Sequence, residues 1–346
     1  MLRVPQKFDA PDRGSLFPPR RERYGITVAG RRVRLGERTL ICGILNVTPD
    51  SFSDGGHYLD PRSAVRHALA MARAGADWID VGGESTRPGA APVSAEEELR
   101  RVVPVICGIR RRARELPISI DTSKGVVAAE ALAAGANLVN DISGLRFDPA
   151  VAEAVRRYRV PLILMHLRGR PATMQRGPFA RDVFRSILQG LDWSVRRALD
   201  LGLDRSQLIV DPGLGFGKTR RQSFQIMAGL AVLRQLRLPI FVGASRKSFI
   251  QAVATGGGLD TRRPAPAATG SRDNAKLAPR DGTPPPAQHR AAVSDFADAA
   301  AVAGMALAGA HIIRVHNVRA ALPAARIADA ILAAARGSSA LRGPLH

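Results

Sequence analysis

An alternation of two kinds of segment constrains the fold of this 346-residue chain more than any other feature. Short apolar runs rich in isoleucine and valine are separated, for the most part, by longer amphipathic stretches rich in alanine, arginine and leucine. Runs that are apolar on both faces are typical of parallel strands covered on each side. Eight strand–helix units close most naturally into an α/β fold, the (β/α)8 TIM barrel. The runs lie at 40–48, 78–82, 117–121, 138–142, 160–165, 207–211, 239–243 and 311–315.

Three segments depart from this alternation. Residues 1–24 form an irregular extension, and residues 25–41 alternate polar and apolar side chains in the manner of a short β-hairpin. Residues 254–290 are rich in glycine, proline, threonine, arginine and aspartate and have no sustained periodicity, which predicts a disordered, low-complexity insertion after the seventh strand. A regular helix should resume near Ala291. We therefore expect one domain at 25–340.

Distinctive polar residues occur at the carboxyl ends of the apolar runs. In a TIM barrel these ends converge on one face, which carries the active site. One such residue could simply cap the next helix, but a polar residue after every run is hard to explain as capping. The residues are Asn46, Gly82-Gly83-Glu84, Asp121, Asn140-Asp141, His166, Asp211, Ser245-Arg246-Lys247 and Arg314 with His316.

The net charge of +21 does not indicate a nucleic-acid partner. The basic residues are nearly all arginines, spread over many helices with few aromatic residues between them, and no nucleic-acid motif is recognisable. A positive surface would still attract anionic small molecules. We also expect no membrane partner, because no apolar run approaches the ~20 residues that a membrane span needs.

The two cysteines indicate a reducing, cytoplasmic location. Cys42 lies in the first apolar run and Cys107 in an amphipathic stretch, so both are expected to be apolar packing residues rather than a disulfide or a metal pair. The first 24 residues lack an apolar signal core, and their acidic residues and prolines do not favour a transit peptide.

The first strand leads into a distinctive loop. Residues 40–56 change from an apolar run to small, polar and turn-forming residues, which predicts a buried strand that delivers a mobile loop to the surface. Asn46 lies at the change, and Phe52 is a lone large apolar residue in the loop. From this segment alone, Phe52 could cover a site or fold back onto the core.

These residues belong to sequence blocks that resemble the dihydropteroate synthase family of pterin-binding enzymes. The blocks occur in order, one per predicted strand, so together they are far more specific than any one alone. They are NVTPDSFSDGG at 46–56, DVGGESTRPGA at 80–90, SIDTSK at 119–124, NDISG at 140–144, LMH at 164–166, DPGLGFGKT at 211–219, ASRKS at 244–248 and RVH at 314–316.

The resemblance implies a transferase of folate biosynthesis and a sulfonamide target. Members join p-aminobenzoate to 6-hydroxymethyl-7,8-dihydropterin diphosphate, releasing pyrophosphate and forming 7,8-dihydropteroate. They transfer an alkyl group other than methyl, and they are usually homodimers formed through the later helices of the barrel. These substrates and a second copy of the chain are therefore the expected partners.

The resemblance also assigns the pterin and p-aminobenzoate contacts. Carboxylate and amide oxygens accept the donors of a pterin edge, and a lysine ammonium reaches its O4 or N5. In the family, the p-aminobenzoate carboxylate is held by a serine and its ring lies near a phenylalanine. The implied pterin residues are Asp121, Asn140, Asp211 and Lys247, and the implied p-aminobenzoate residues are Ser248 and Phe216. Lys218 should line the same mouth, and Arg246 is expected to form a salt bridge with a barrel carboxylate.

A diphosphate leaving group requires positive charge. By resemblance, Arg314 and His316 bind it together with Asn46, which also contacts Mg2+, and the second loop contributes Thr86 and Arg87 as substrate contacts. Mg2+ prefers oxygen ligands and substrate phosphates, so one amide oxygen is a plausible protein ligand. The implied catalytic residues are Arg87, Lys247, Arg314 and His316.

The implied mechanism is dissociative. Pyrophosphate leaves first, and the amine of p-aminobenzoate then attacks a cation at the exocyclic methylene, so catalysis depends on charge stabilisation and positioning in a closed site. The two loops would then act as a lid, with Phe52 shielding the amine pocket. The lid residues are Thr48, Pro49, Asp50, Phe52, Asp54 and Pro88.

Two other functions are considered. A methyltetrahydrofolate-dependent methyltransferase has a similar pterin-binding barrel but no diphosphate to hold, so the Arg-Val-His block at 314–316 and the intact loops argue against it. A catalytically silent pterin-binding paralogue should have lost loop or diphosphate residues, and none is lost here. One departure from the family pattern is Val293 in place of the usual glycine after the insertion, which leaves the start of the following helix undetermined.

Overall fold

The structure is a computed structural model that describes residues 21–48, 60–86, 89–177, 179–259 and 287–337. Several predictions lie outside these ranges: the extension at 1–20, the lid residues Pro49, Asp50, Phe52, Asp54 and Pro88, the catalytic candidate Arg87, and residues 260–286 of the insertion.

The predicted barrel is confirmed. Eight parallel strands form one sheet in the order β8-β7-β6-β5-β4-β3-β10-β9. Their edges meet at an isolated bridge between Val210 and Ile240, so the barrel is nearly closed. Each strand falls in one of the eight apolar runs. The strands are β3 Leu40–Asn46, β4 Trp78–Gly82, β5 Ile118–Asp121, β6 Leu138–Asp141, β7 Leu162–Met165, β8 Leu208–Asp211, β9 Phe241–Gly243 and β10 Ile312–Val315.

Helices pack around this sheet, and each barrel strand is followed by at least one. The apolar face of each helix covers the strands, and Val, Ile, Leu and Ala residues from both layers form the main core. The helices are α1 Pro61–Arg73, α2 Ala95–Arg112, α3 Gly125–Ala133, α4 Ala150–Tyr158, α5 Val183–Asp200, α6 Arg220–Ala228, α7 Ser248–Ala254, α8 Ala287–Leu307 and α9 Val318–Gly337. Helix α8 begins before the predicted resumption near Ala291. Among the described residues, none of the helices has the length and apolar character of a membrane span.

The predicted hairpin is also confirmed and closes the amino-terminal end of the barrel. Strands β1 Tyr24–Val28 and β2 Arg31–Leu35 pair antiparallel. The turn residues Ala29 and Gly30 have φ angles of 51° and 74°, a combination that matches the right-handed twist of the flanking strands. Ile26, Val28 and Leu35 pack in one apolar cluster with Trp78 and Phe241 from the barrel strands. Ligands must therefore enter from the opposite, carboxyl-terminal face.

Candidate active site

Arg314 occupies the centre of the carboxyl-terminal face. Its Nε donates to Oδ2 of Asp80 at 2.6 Å, and its Nη2 donates to Oδ2 of Asp121 at 2.7 Å. Burial raises the pKa of Asp121 above its ordinary range, although Arg314 opposes that rise. The two carboxylates in turn raise the pKa of Arg314, although burial opposes it. Arg314 is therefore a permanent cation whose charge is shared by two acidic side chains.

Asp80 is a residue of this site that the sequence analysis missed. Its side chain is fully buried and accepts hydrogen bonds from Ser119, from Arg314 and from Nδ2 of Asn140, the last at 3.2 Å. Because Nδ2 of Asn140 is directed at Asp80, Oδ1 faces away from it. That oxygen is buried and has no hydrogen-bond partner among the described residues. A buried acceptor without a donor is costly, and it is well suited to a ligand N–H.

Asp211, Lys247 and Phe216 lie close together on one side of this face. Asp211 is buried, and its Oδ1 accepts the backbone N–H of Gly213 at 2.7 Å. Burial raises its pKa, an effect that Lys247 opposes. Lys247 donates to the carbonyl of Leu214 at 2.5 Å, and its ammonium lies 4.6 Å from the centre of the Phe216 ring. Burial lowers the pKa of Lys247 to about 8, although Asp211 favours its charged form.

Lys218 does not line the mouth of the site as expected. It is only 5% exposed, and its ammonium lies 3.0 Å from Nδ1 of His166 and 3.0 Å from the carbonyl of Phe216. Burial lowers the pKa of Lys218 to about 7. Burial and the nearby Lys218 also lower the pKa of His166, so a neutral ring offers Nδ1 as acceptor. Lys218 therefore links the glycine-rich loop at 213–217 to the end of β7.

The glycines of this loop serve close packing. Gly213 has a φ of 65°, and a Cβ placed on it would lie 2.2 Å from the carbonyl oxygen of His166. A Cβ on Gly217, whose φ is 67°, would lie 2.6 Å from Cβ of Arg168. Only glycine fits both positions. The loop thus brings Phe216 against Lys247.

The base of the second loop is held by ion pairs. Glu84 accepts the backbone N–H of Val93 at 3.0 Å and the ammonium of Lys124 at 2.5 Å, and Lys124 also contacts the fully buried Glu98 at 2.5 Å. These contacts join both ends of the segment that contains Thr86, which is partly exposed. Arg87 and Pro88 lie outside the described residues. The anchoring of this loop by Lys124 was not predicted.

Asn46 ends β3 beside Gly82 and is partly exposed at the catalytic face, and Thr48 is buried just beyond it. Among the described residues, no group of three or more His, Cys, Asp and Glu side chains could hold a metal ion. A single amide oxygen at the strand end fits the way Mg2+ binds, with most ligands from substrate phosphates and water. The described residues therefore suit Mg2+ brought in with a diphosphate.

Arg314 contacts Asp80 and Asp121, whereas His316 contacts Ser245. Residues two apart share a face only within a strand, and β10 ends at Val315, so this pattern does not extend to His316. Nδ1 of His316 lies 3.0 Å from Oγ of Ser245. Ser248 is the exposed first residue of α7. The side chain of Arg246 is exposed too, and the carboxylate of Asp298 contacts its backbone N–H. Within the part of the chain that the structure describes, Arg246 thus contacts a carboxylate through its backbone N–H and not through the expected salt bridge.

An Arg–carboxylate centre, a buried acceptor without a partner among the described residues and a lysine over an aromatic ring suit a barrel enzyme that binds a small polar heterocycle. The model of the pterin binding enzyme family matches residues 42–316, so the chain belongs to that family. Its relatives carry a more particular name. Dihydropteroate synthase of Synechocystis is 40% identical over 296 residues, which cover 86% of this chain and 91% of the relative.

Two solved structures have the same fold along nearly their whole length. Dihydropteroate synthase of Yersinia pestis with a sulfonamide drug has a TM-score of 0.73 and 37% identity, covering 90% of this chain and 99% of that one. The Xanthomonas albilineans enzyme in complex with 7,8-dihydropteroate has a TM-score of 0.70 and 35% identity, covering 89% and 99%. Within the pterin-binding family, the chain is thus similar to the dihydropteroate synthases.

Proposed function

We propose that this chain catalyses the dihydropteroate synthase reaction, joining p-aminobenzoate to 6-hydroxymethyl-7,8-dihydropterin diphosphate with release of pyrophosphate. The buried Oδ1 of Asn140, which has no partner among the described residues, carries this proposal, because it lies on the strand next to Asp121 and suits a ligand N–H. A pterin supplies such donors on one edge. The complex of the X. albilineans enzyme supports the proposal, since 7,8-dihydropteroate contains both joined halves.

The pterin would bind between Asn140, Asp211 and Lys247. Asn140 and Asp211 present acceptors to the ring N–H and amino groups, and Lys247 donates to the carbonyl or N5 on the other edge. Asp121 belongs to the same floor, where Arg314 keeps it in place. Hydrogen bonds from a buried neutral ligand to ionised side chains are stronger than those between neutral groups.

Arg314 and His316, together with Arg87, would hold the diphosphate. In the reaction, the bond between the exocyclic methylene and the diphosphate oxygen breaks, and both electrons leave with pyrophosphate. The cationic groups stabilise the charge that develops on this leaving group. Mg2+ held by Asn46 would supply further positive charge there, which is what a magnesium ion contributes to diphosphate chemistry.

The amine nitrogen of p-aminobenzoate then forms a bond to the methylene carbon and loses a proton. Ser248 would hold the carboxylate, and Phe216 would lie along the aromatic ring. Thr86 would contact the substrate. The lid would close over the site and exclude water, which would otherwise trap the cation. Its residues are Thr48, Pro49, Asp50, Phe52, Asp54 and Pro88. Sulfonamides should compete with p-aminobenzoate for the same space, consistent with the drug complex of the Y. pestis enzyme.

We also propose that the chain forms a homodimer and is cytoplasmic. Its proposed division is an extension at 1–24 and one domain at 25–340, with an insertion at 254–290. The outer surfaces of the adjacent helices α8 and α9 support self-association, because large apolar side chains are exposed on both. Phe296 is 77% exposed and Ile327 is 63% exposed. Apolar groups left in water on neighbouring helices are typical of a surface that another chain covers.

A pyrophosphate-release assay tests the proposed activity. Purified protein should release pyrophosphate and form 7,8-dihydropteroate from the two substrates in the presence of Mg2+. Leaving out p-aminobenzoate should abolish dihydropteroate formation. Well-folded protein that binds the dihydropterin diphosphate but forms no product would instead be a silent pterin-binding paralogue. Activity with a methyltetrahydrofolate and no diphosphate would indicate the methyltransferase alternative.

The pH dependence of kcat/KM for the dihydropterin diphosphate should show an alkaline limb. The charged ammonium of Lys247 is a stronger donor to the pterin than the neutral amine, and its pKa is lowered to about 8. Binding should therefore weaken as pH rises through about 8, by up to about tenfold per unit while the ammonium loses its proton. A series of initial-rate measurements from pH 6 to 10 would check this. The variant Lys247→Met should lose the limb, and its retention in that variant would contradict the assignment.

A further inference from the structure

The hydroxyl of Ser245 connects a helix carboxylate to a candidate diphosphate ligand. It donates to Oδ2 of Asp298 at 2.6 Å, and the same oxygen lies 3.0 Å from Nδ1 of His316. It also accepts the backbone N–H of His316 at 3.2 Å. Asp298 lies on α8 and is only 5% exposed. Asp298 and Ser245 thereby connect the segment after β9 with His316, which follows β10.

Asp298 also holds the turn that carries Lys247. The backbone N–H of Arg246 donates to both of its carboxylate oxygens, at 3.0 and 3.1 Å. Arg246 has a φ of 56°, in the left-handed region that a residue with a Cβ adopts only at an energetic cost. Lys247 and Ser248 follow directly. The contacts to Asp298 therefore stabilise a strained turn from which two substrate-binding side chains project.

The available protons determine which nitrogen of His316 carries a hydrogen. Asp298 accepts on both oxygens, as a carboxylate does, so it has no proton to donate. Ser245 has one proton, which is directed at Asp298, so its oxygen can only accept from the ring. Nδ1 of His316 must then be protonated, and in the neutral ring Nε2 carries the lone pair.

We propose that Asp298 is a positioning residue of the active site. Through Ser245 it fixes His316 with Nδ1 protonated, so that the proton on Nε2 is the one that a bound diphosphate would accept. The identity of that ligand rests on the proposed function, whereas the protonation of Nδ1 does not. When Nε2 donates to a diphosphate oxygen, both ring nitrogens carry hydrogen, and the bound ring supplies a full positive charge.

Among the side chains that the structure describes, the other charged groups on the same elements are Arg314 on β10, Arg246 and Lys247 on the turn, and Asp295 one turn before Asp298 on α8. The carboxylate of Asp295 accepts Nδ2 of Asn317 at 2.8 Å. Asp295 lies on the same helix as Asp298 and binds Asn317, the residue after His316, but it does not contact Ser245 in the structure. It provides a matched control.

The substitution Asp298→Asn should reverse the direction of these hydrogen bonds. If the amide oxygen keeps the backbone N–H of Arg246, its NH2 group faces Ser245 and donates to the hydroxyl. Ser245 then donates its own proton to Nδ1 of His316. In the neutral ring the hydrogen should therefore move from Nδ1 to Nε2. The turnover number should fall by about tenfold, because a charged hydrogen bond to the diphosphate becomes a neutral one.

Nitrogen-15 correlation spectra of the histidine rings in ligand-free protein test this directly, with the His316 signals identified by their loss in His316→Gln. Wild-type protein should show a protonated Nδ1 and an unprotonated Nε2 where the ring is neutral. Asp298→Asn should show the reverse, and Asp295→Asn should retain the wild-type pattern.

A wild-type ring with an unprotonated Nδ1 would overturn the proposal, and this result does not require that any variant fold. The same pattern in wild type and Asp298→Asn would also overturn it, as would an unchanged turnover number in a variant whose ring is reversed. Because the spectra need neither substrate, a negative pyrophosphate assay would refute the proposed function without affecting this result.

Discussion

Replacement of Arg314 by methionine should reduce the turnover number by at least about a hundredfold. It should also lower the free energy of unfolding by about 3–5 kcal/mol, because Asp80 and Asp121 would be left as buried carboxylates without their shared cation. Methionine keeps most of the length of the side chain and removes only its charge and donors. Steady-state kinetics and urea unfolding measure the two effects separately.

Arg246→Met is the matched control for this change. Arg246 belongs to the same face, but its guanidinium is exposed, so both effects should be small. The affinity for the pterin should fall much less than turnover in Arg314→Met, since Asn140, Asp211 and Lys247 remain. Equal losses of pterin affinity and turnover would mean that the diphosphate does not contact Arg314.

Substitution of Asp211 by asparagine should weaken binding of the dihydropterin diphosphate by about a hundredfold. The amide oxygen can still accept the backbone N–H of Gly213, which the carboxylate accepts at 2.7 Å. Its NH2 group, however, would face the pterin donors, and a charged hydrogen bond of about 1.5–3 kcal/mol is lost. Calorimetric titration without p-aminobenzoate measures this affinity in isolation from chemistry.

Asp141→Asn provides the comparison for Asp211. Asp141 is equally buried at a strand end, but its oxygens accept the backbone N–H groups of Ser143 and Leu145 at 2.8 and 2.7 Å. Its substitution should cost stability and leave pterin affinity nearly unchanged. Similar losses of affinity in both variants would show that burial of a carboxylate, rather than contact with pterin, explains the effect.

The sequence predicted the barrel well because each strand and helix is specified by its own apolar pattern. All eight predicted runs contain a barrel strand, and the hairpin lies where the alternation placed it. The site was predicted only where a polar residue ends a strand. Asp211 and Lys247 were recognised in this way, Phe216 came only from the family resemblance, and the three lie close together in the structure.

The missed residues share a physical reason. Asp80 lies within an apolar run, and a sequence does not reveal that it turns inward to meet Arg314, which lies 234 positions away. Asp298 lies on an alanine-rich helix whose weak periodicity does not predict which face meets the barrel, and an insertion separates it from Ser245. Lys218 looks like an exposed cation until the loop glycines place it against His166. Such contacts depend on tertiary packing rather than on local pattern.

The bridge between Val210 and Ile240 makes one seam of the described barrel weaker than the rest. Backbone amides beside such a seam are the ones expected to exchange with solvent through local opening. Asp211 ends the strand on one side of the seam, and Lys247 follows the strand on the other. A pterin bound by both side chains would connect β8 to β9, so its binding energy would oppose local separation of these two strands. The side chains proposed to select the substrate would then also determine how rarely the β8–β9 edge opens in the substrate-bound protein.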